Sequence, residues 1–95
     1  MSKIQWLPGA FEDLKRLYDS LEPVDSKMAK KIINLIISEA ESLVKFPEKG
    51  RPWNNDLYFR ELIVKFGMRG YIVRYRFEKN AIYIVRVWHM LEDRI

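Results

Sequence analysis

The 95-residue sequence contains no cysteine. That excludes disulfide staples, thiolate zinc sites and a cysteine nucleophile, and it fits a reducing cytoplasm. A single histidine, His89, is too little for a histidine-built metal site. Glycine and proline are scarce, at four each, so a low-complexity or disordered chain is excluded. Long apolar runs are missing as well. The longest is Ala81 to Val85, far short of a bilayer span, and no membrane association is expected. The opening Met-Ser-Lys-Ile-Gln-Trp has neither the charged start nor the apolar stretch of an export signal, so a cytoplasmic protein is expected. There is no Gly-rich phosphate loop, no paired-carboxylate site and no metal-ligand spacing, so no cofactor and no metal are expected.

What is present is an uneven distribution of charge. The net charge is +4, with 48% hydrophobic and 32% charged residues. Residues 1–50 hold eight basic and eight acidic side chains, whereas residues 51–95 hold nine and five. Seven of the eight arginines lie in the second half: Arg51, Arg60, Arg69, Arg74, Arg76, Arg86 and Arg94. Arginine grips carboxylate or phosphate with two parallel donors, which lysine cannot do. A neutral first half and an arginine-rich second half result. The length supports one domain over residues 1–95.

Hydrophobic spacing then orders the chain. Lys3 to Leu7 alternates and reads as a strand stopped by Pro8-Gly9. From Ala10 the period lengthens, with Phe11, Leu14, Leu17, Tyr18 and Leu21 forming the stripe of an amphipathic helix broken at Glu22-Pro23. A second helix opens at Asp25 or Ser26, either of which can cap it, and closes at Phe46-Pro47. Glu48 to Pro52 is turn material, and three strands follow over 59–66, 71–77 and 82–88. The expected fold is α+β: an N-terminal strand, an antiparallel helical hairpin, then a three-stranded antiparallel meander, with the helices packed on one face of the sheet. By strict alternation, Arg74, Arg76 and Arg86 share the other face with Ile72, Ile84 and Trp88. Such a face suits an acidic protein partner or a nucleic acid. If those arginines are exposed, replacing Arg74 or Arg76 by Ala leaves the fold intact.

Four stretches in order carry a family resemblance: Phe46-Pro47-Glu48-Lys49-Gly50-Arg51, Arg60-Glu61-Leu62-Ile63-Val64, Gly70 to Arg76, and Ile84-Val85-Arg86-Val87-Trp88-His89. With Trp6, Ala10, Asp13 and Leu14, they resemble the RelE/ParE toxins of bacterial type II toxin–antitoxin modules over nearly the whole chain. The resemblance implies the same strand–helix–helix–meander order and a cognate antitoxin as partner. It also implies one of two targets. RelE-like members enter the ribosome and cut mRNA, whereas ParE-like members inhibit DNA gyrase and are not nucleases. The ribonuclease branch usually places an arginine after the aromatic residue that opens the third strand. Here that position is Ile72, in Gly70-Tyr71-Ile72-Val73-Arg74-Tyr75, a pattern more similar to ParE. Without a fixed cation there, a transition-state phosphate lacks its counter-charge.

The RelE-like reading makes His89 general acid or base, with Arg60 and Arg76 holding phosphate. Its structural counterpart makes His89 a residue that ties the chain end to the sheet, and Arg60 a salt-bridge partner at a strand entrance. The ParE-like reading makes Arg74, Arg76, Arg86, Trp88, Ile72 and Ile84 a surface for target or antitoxin. A third reading leaves a non-toxic family member that only binds its partner.

Overall fold

The computed structural model describes residues 3–54 and 56–92. Five strands form one sheet in the order β1-β5-β4-β3-β2. They are β1 (Lys3–Trp6), β2 (Arg51–Trp53), β3 (Asp56–Phe66), β4 (Arg69–Glu78) and β5 (Ala81–His89). Helices α1 (Pro8–Leu21) and α2 (Ser26–Glu41) lie between β1 and β2, and a short 3-10 turn over Ser42–Val44 extends α2. The expected α+β architecture is therefore observed, with two additions. Arg51 and Pro52, expected as turn, form with Trp53 a short edge strand against β3. The first strand pairs parallel with the last, Lys3 opposite Ala81 and Trp6 opposite Ile84.

Local chemistry accounts for the element ends. Pro8 occupies the first turn of α1, where its missing N–H costs nothing, so Pro8-Gly9 starts a helix as well as ending a strand. Asp25 caps α2, its Oδ1 accepting from the Met28 amide at 3.0 Å. The β3–β4 hairpin turns through Gly67, whose positive φ of 59° suits the first position of a tight two-residue loop. Lys79 and Asn80, both at positive φ, make the β4–β5 turn.

The core lies between the helices and one sheet face. Leu14, Leu17, Ile32, Ile36 and Leu43 meet Leu62, Val64, Tyr71, Val73, Tyr75, Ile82, Ile84 and Val87. Phe11, placed on the α1 stripe by its spacing, is instead exposed beside Trp6, their ring centroids 6.2 Å apart. The buried stripe of α1 is instead Ala10, Asp13, Leu14, Leu17 and Leu21, with a carboxylate inside it.

A bulge corrects the predicted face of β5. Arg74 pairs with Arg86, but the next residue, Tyr75, pairs with Ile84, so Val85 is an extra residue without an opposite number. Alternation slips there by one. Ile84, expected on the open face, is fully buried in the core, and Ile82 joins it. Tyr83 moves to the opposite side, opposite Arg76, where it lines a groove with Val85, Leu7 and Phe59. Beyond the bulge, Arg86 and Trp88 keep the expected open face and Val87 the core.

Candidate functional site

The sheet face away from the helices is built by cross-strand rows. Ile63, Ile72 and Trp88 form one row, Glu61, Arg74 and Arg86 the next, and Phe59, Arg76 and Tyr83 a third. Four of the expected surface residues besides Ile84 thus share this face with a fifth, Ile72. They are not equally accessible. Ile72 and Trp88 are buried, at 3% and 5% exposure, although neither belongs to the core beneath the helices. The face is therefore partly self-covered.

Arg74 does much of that covering. Its guanidinium lies 3.8 Å from the Trp53 ring centroid and 4.8 Å from that of Trp88. Arg74 Nε and Nη2 both donate to Oε2 of Glu61, at 3.0 and 2.7 Å. The Glu61 side chain is only 3% exposed. The expectation that Arg74 stands free on a solvated surface is corrected: a buried carboxylate and two stacked indoles hold it in place. Arg76 grips Glu78 through Nη2, at 2.9 and 2.8 Å, and lies near the Tyr58 and Phe59 rings.

Arg86 is exposed but also engaged. It donates from Nε to Asp13 Oδ2 at 2.7 Å and from Nη2 to Oδ1 at 3.1 Å. The hydrogen bond from the Asp13 carboxylate is the chief reason its pKa is raised above the ordinary arginine value. Asp13 also accepts from the Val87 amide at 2.8 Å. The reason is topological. β1 stops at Trp6, so β5 beyond Ile84 has no neighbouring strand on that side. A carboxylate from α1 takes the edge amide in place of a strand. Sequence reasoning did not assign Asp13 this role, although a charge at i+3 from Ala10 and i−4 from Leu17, inside an apolar stripe, was its signal.

His89, Arg60 and Arg76 are not brought together. His89 pairs with Tyr71 and faces the helix side, its ring meeting the Tyr71 ring edge-on at 5.1 Å. Its Nδ1 accepts from the Leu91 amide at 3.1 Å, and Glu92 accepts from the His89 amide at 2.6 Å. Arg76 lies five residues along β4 from the partner of His89, roughly 16 Å at the usual strand rise. Arg60 points to the side of Tyr75 and donates to the carbonyls of Gly50 (2.7 Å) and Glu48 (3.3 Å), closing the loop before β2. Tyr75 secures the same loop, its hydroxyl donating to the Pro47 carbonyl at 2.7 Å and accepting from the Gly50 amide at 2.9 Å. Among the described residues, no group of three His, Cys, Asp or Glu side chains is placed to hold a metal ion. Among the same residues, no helix is long and apolar enough to cross a membrane.

Comparison with known proteins agrees with this architecture. Residues 4–94 match the model of the ParE toxin of the type II toxin–antitoxin system parDE. Two curated proteins of Caulobacter vibrioides are similar over most of their length. Toxin RelE3 is 36% identical over 94 residues, covering 99% of this chain and all of that protein. Toxin RelE1 is 32% identical over 85 residues, covering 90% and 89%. A solved structure described as the chromosomal ParDE system from P. aeruginosa superposes with a TM-score of 0.76 at 23% identity, covering 94% of this chain and 96% of that one. That likeness bears on the fold. The match along the whole sheet-and-hairpin unit, together with the relatives' identity, establishes that this chain belongs to the ParE toxin family of type II toxin–antitoxin systems, in which a toxin is paired with a cognate antitoxin.

Proposed function

We propose that this toxin arrests growth by ParE-like inhibition of DNA gyrase, through a binding surface and without catalysing a reaction. The observation that carries the reading is the charge state of the open face. Arg74 holds Glu61, Arg76 holds Glu78 and Arg86 holds Asp13, so each arginine there already has a carboxylate beside it. An RNA phosphate in a transition state needs cations whose charge is not already met. Ile72, at the position where the ribonuclease branch usually has arginine, is buried against that face. His89 lies on the opposite side of the sheet from Arg76. The antitoxin, in this reading, is a segment that lays apolar side chains over the groove of Leu7, Phe59, Tyr83 and Val85 beside the open face.

RelE-like cleavage of mRNA on the ribosome is the second reading, favoured by the names of the Caulobacter relatives, toxins RelE3 and RelE1. The two separate cleanly in the test tube. The purified chain is added to a gyrase supercoiling assay and, separately, to ribosomes programmed with a defined mRNA. Gyrase inhibition that survives His89→Ala, with intact mRNA, is the expected result. Ribosome-dependent cleavage that disappears in His89→Ala, with supercoiling unaffected, overturns the proposal in favour of the nuclease.

A further inference from the structure

The two sides of the sheet are finished differently. Along β5, past the end of β1, the Val87 amide is taken by Asp13, the Val87 carbonyl by Arg16 Nη2 at 3.4 Å and the His89 amide by Glu92. Along β3, the neighbour β2 reaches only as far as Glu61, which pairs with Arg51. Beyond it no strand lies beside residues 62–66 on that side. The ladder with β4 fixes where their backbone groups point. Gly70 gives its carbonyl to the Met90 amide at 2.8 Å, so it turns away from β3. Directly opposite residues of an antiparallel pair either exchange hydrogen bonds or both face away, in alternation. Lys65, opposite Gly70, therefore turns its N–H and C=O outward, and Ile63, two residues earlier, does the same. Among the described residues, none hydrogen-bonds to these four groups.

The side chains along this edge have a charge to match. Glu61, Ile63 and Lys65 share the open face, and Arg51, opposite Glu61, joins them. Arg51 and Lys65 are exposed, and neither has an ion-pair partner among the described residues. Glu61 adds no free charge, since Arg74 holds its carboxylate. A cavity of about 290 Å³ opens where β2 starts, lined by Lys49, Gly50, Arg51, Glu61, Leu62 and Ile63. Lys49 lies 3.5 Å from Glu39 and is partly neutralised by it. The edge thus presents backbone donors and acceptors at strand spacing, with a cation on either side of Ile63.

We propose that the Ile63–Lys65 edge is a docking site for an acidic, extended segment of a partner protein, which adds to the sheet as a strand in line with β2. Main-chain hydrogen bonds supply the affinity of such an addition, and alternate side chains its selectivity. Running antiparallel to β3, as β2 does, the segment sets the side chains opposite Ile63 and Lys65 on the open face. Carboxylates there meet Lys65 and the neighbouring Arg51. A nucleic acid fits less well, because its phosphates only accept and leave the Ile63 and Lys65 carbonyls unmet. A second copy of this chain fits less well too, because it gathers the Lys65 and Arg51 cations of both copies along one short row. The edge does not use the groove of Leu7, Phe59, Tyr83 and Val85, and its assignment does not depend on whether gyrase or the ribosome is the target.

The test is fluorescence anisotropy of a fluorescein-labelled peptide of alternating valine and glutamate, titrated with the full chain. The parent binds it with a Kd of about 1 mM or tighter, and the same peptide with lysine in place of glutamate does not bind. N-methylation of the glutamate amides, which face β3 in this register, weakens binding by about tenfold. N-methylation of the valine amides, which face away, leaves it unchanged. Lys65→Gln melts with the parent and weakens binding by about two- to fivefold. Lys65→Pro removes one outward N–H without touching the ladder to β4, and weakens binding further. The peptide comparisons use only the parent chain, so they decide the matter even if Lys65→Pro does not fold. The proposal is overturned if the parent does not bind, if the lysine peptide binds as well, or if the glutamate-methylated peptide binds as tightly as the unmodified one, which is attraction by charge alone. A single-stranded oligonucleotide of equal charge that binds more tightly than the peptide, and loses affinity in Lys65→Gln, assigns the edge to nucleic acid and overturns it likewise.

Discussion

Replacing Arg74 by Ala tests the distinction between a surface arginine and a structural one. The substitution removes both hydrogen bonds that Arg74 gives to Glu61, whose carboxylate is almost fully enclosed. It also removes the cation stacked between Trp53 and Trp88. Truncating one member of a buried ion pair costs about 3–5 kcal/mol, since the remaining charge is left without that compensation. The Arg74 side chain keeps 16% of its exposure, and water shares in solvating the pair. A loss at or somewhat below the lower end of that range, about 2–4 kcal/mol, is therefore expected. For a domain of this length that lowers the Tm by roughly 10–30 °C, which circular dichroism at 222 nm reads directly. The companion variant Glu61→Leu with Arg74→Met, which removes both charges and retains bulk, should recover much of the loss. Arg76→Ala, by contrast, breaks a half-exposed pair and should cost less than about 1 kcal/mol. An Arg74→Ala protein that melts within about 2 °C of the parent would refute the reasoning and return Arg74 to the solvated surface. Loss of growth arrest in Arg74→Ala is thus informative only beside its melting curve.

Three other outcomes follow from the packing. Asp13→Ala leaves the Val87 amide and Arg86 without their common acceptor and should destabilise by about 2–4 kcal/mol, seen as a lower urea midpoint with unchanged m. Gly50→Ala places a Cβ 2.7 Å from the Tyr75 ring and 2.8 Å from the Glu61 carbonyl oxygen, so the loop must shift at a cost of about 1–3 kcal/mol or more. Burial pushes the Tyr75 phenol above its ordinary pKa. Its folded value then exceeds its unfolded value near 10. The resulting stabilisation is complete below about pH 10 and lost as pH rises through the folded value. Urea midpoints should therefore fall more steeply above about pH 10 in the parent than in Tyr75→Phe, and equal slopes would contradict this.

The element order was readable because each period is local. The stripe of α1, the Asp25 cap and the two tight turns depend on residues within four positions of each other. What was not readable depends on contacts between distant segments. Ile82, Tyr83, Ile84 and Val85 are all apolar, so alternation there fits either face, and only pairing with β4 reveals the bulge that sends Ile84 inward. Arg74 and Glu61 are 13 residues apart, on neighbouring strands, and a sequence shows two charges where the fold makes one neutral, buried pair. β2 contains Pro52 and only three residues, too short for any periodicity, and exists because β3 offers it an edge. The Tyr71 hydroxyl drew no attention, since an aromatic residue at a strand start is ordinary until its missing hydrogen bond is seen.

The parallel pairing of β1 with β5 has a consequence for how the protein comes into being. Lys3 meets Ala81 and Trp6 meets Ile84, so the first strand waits for a partner 78 residues later in the chain. Closing so long a loop is entropically costly and slows folding relative to a chain of local contacts. During synthesis, a nascent chain that has emerged only as far as the helical hairpin contains no partner for β1, and the core strand β5 that carries Ile82, Ile84 and Val87 is still to come. The toxin is thus unfinished as a structure until its last strand has been made and has reached β1.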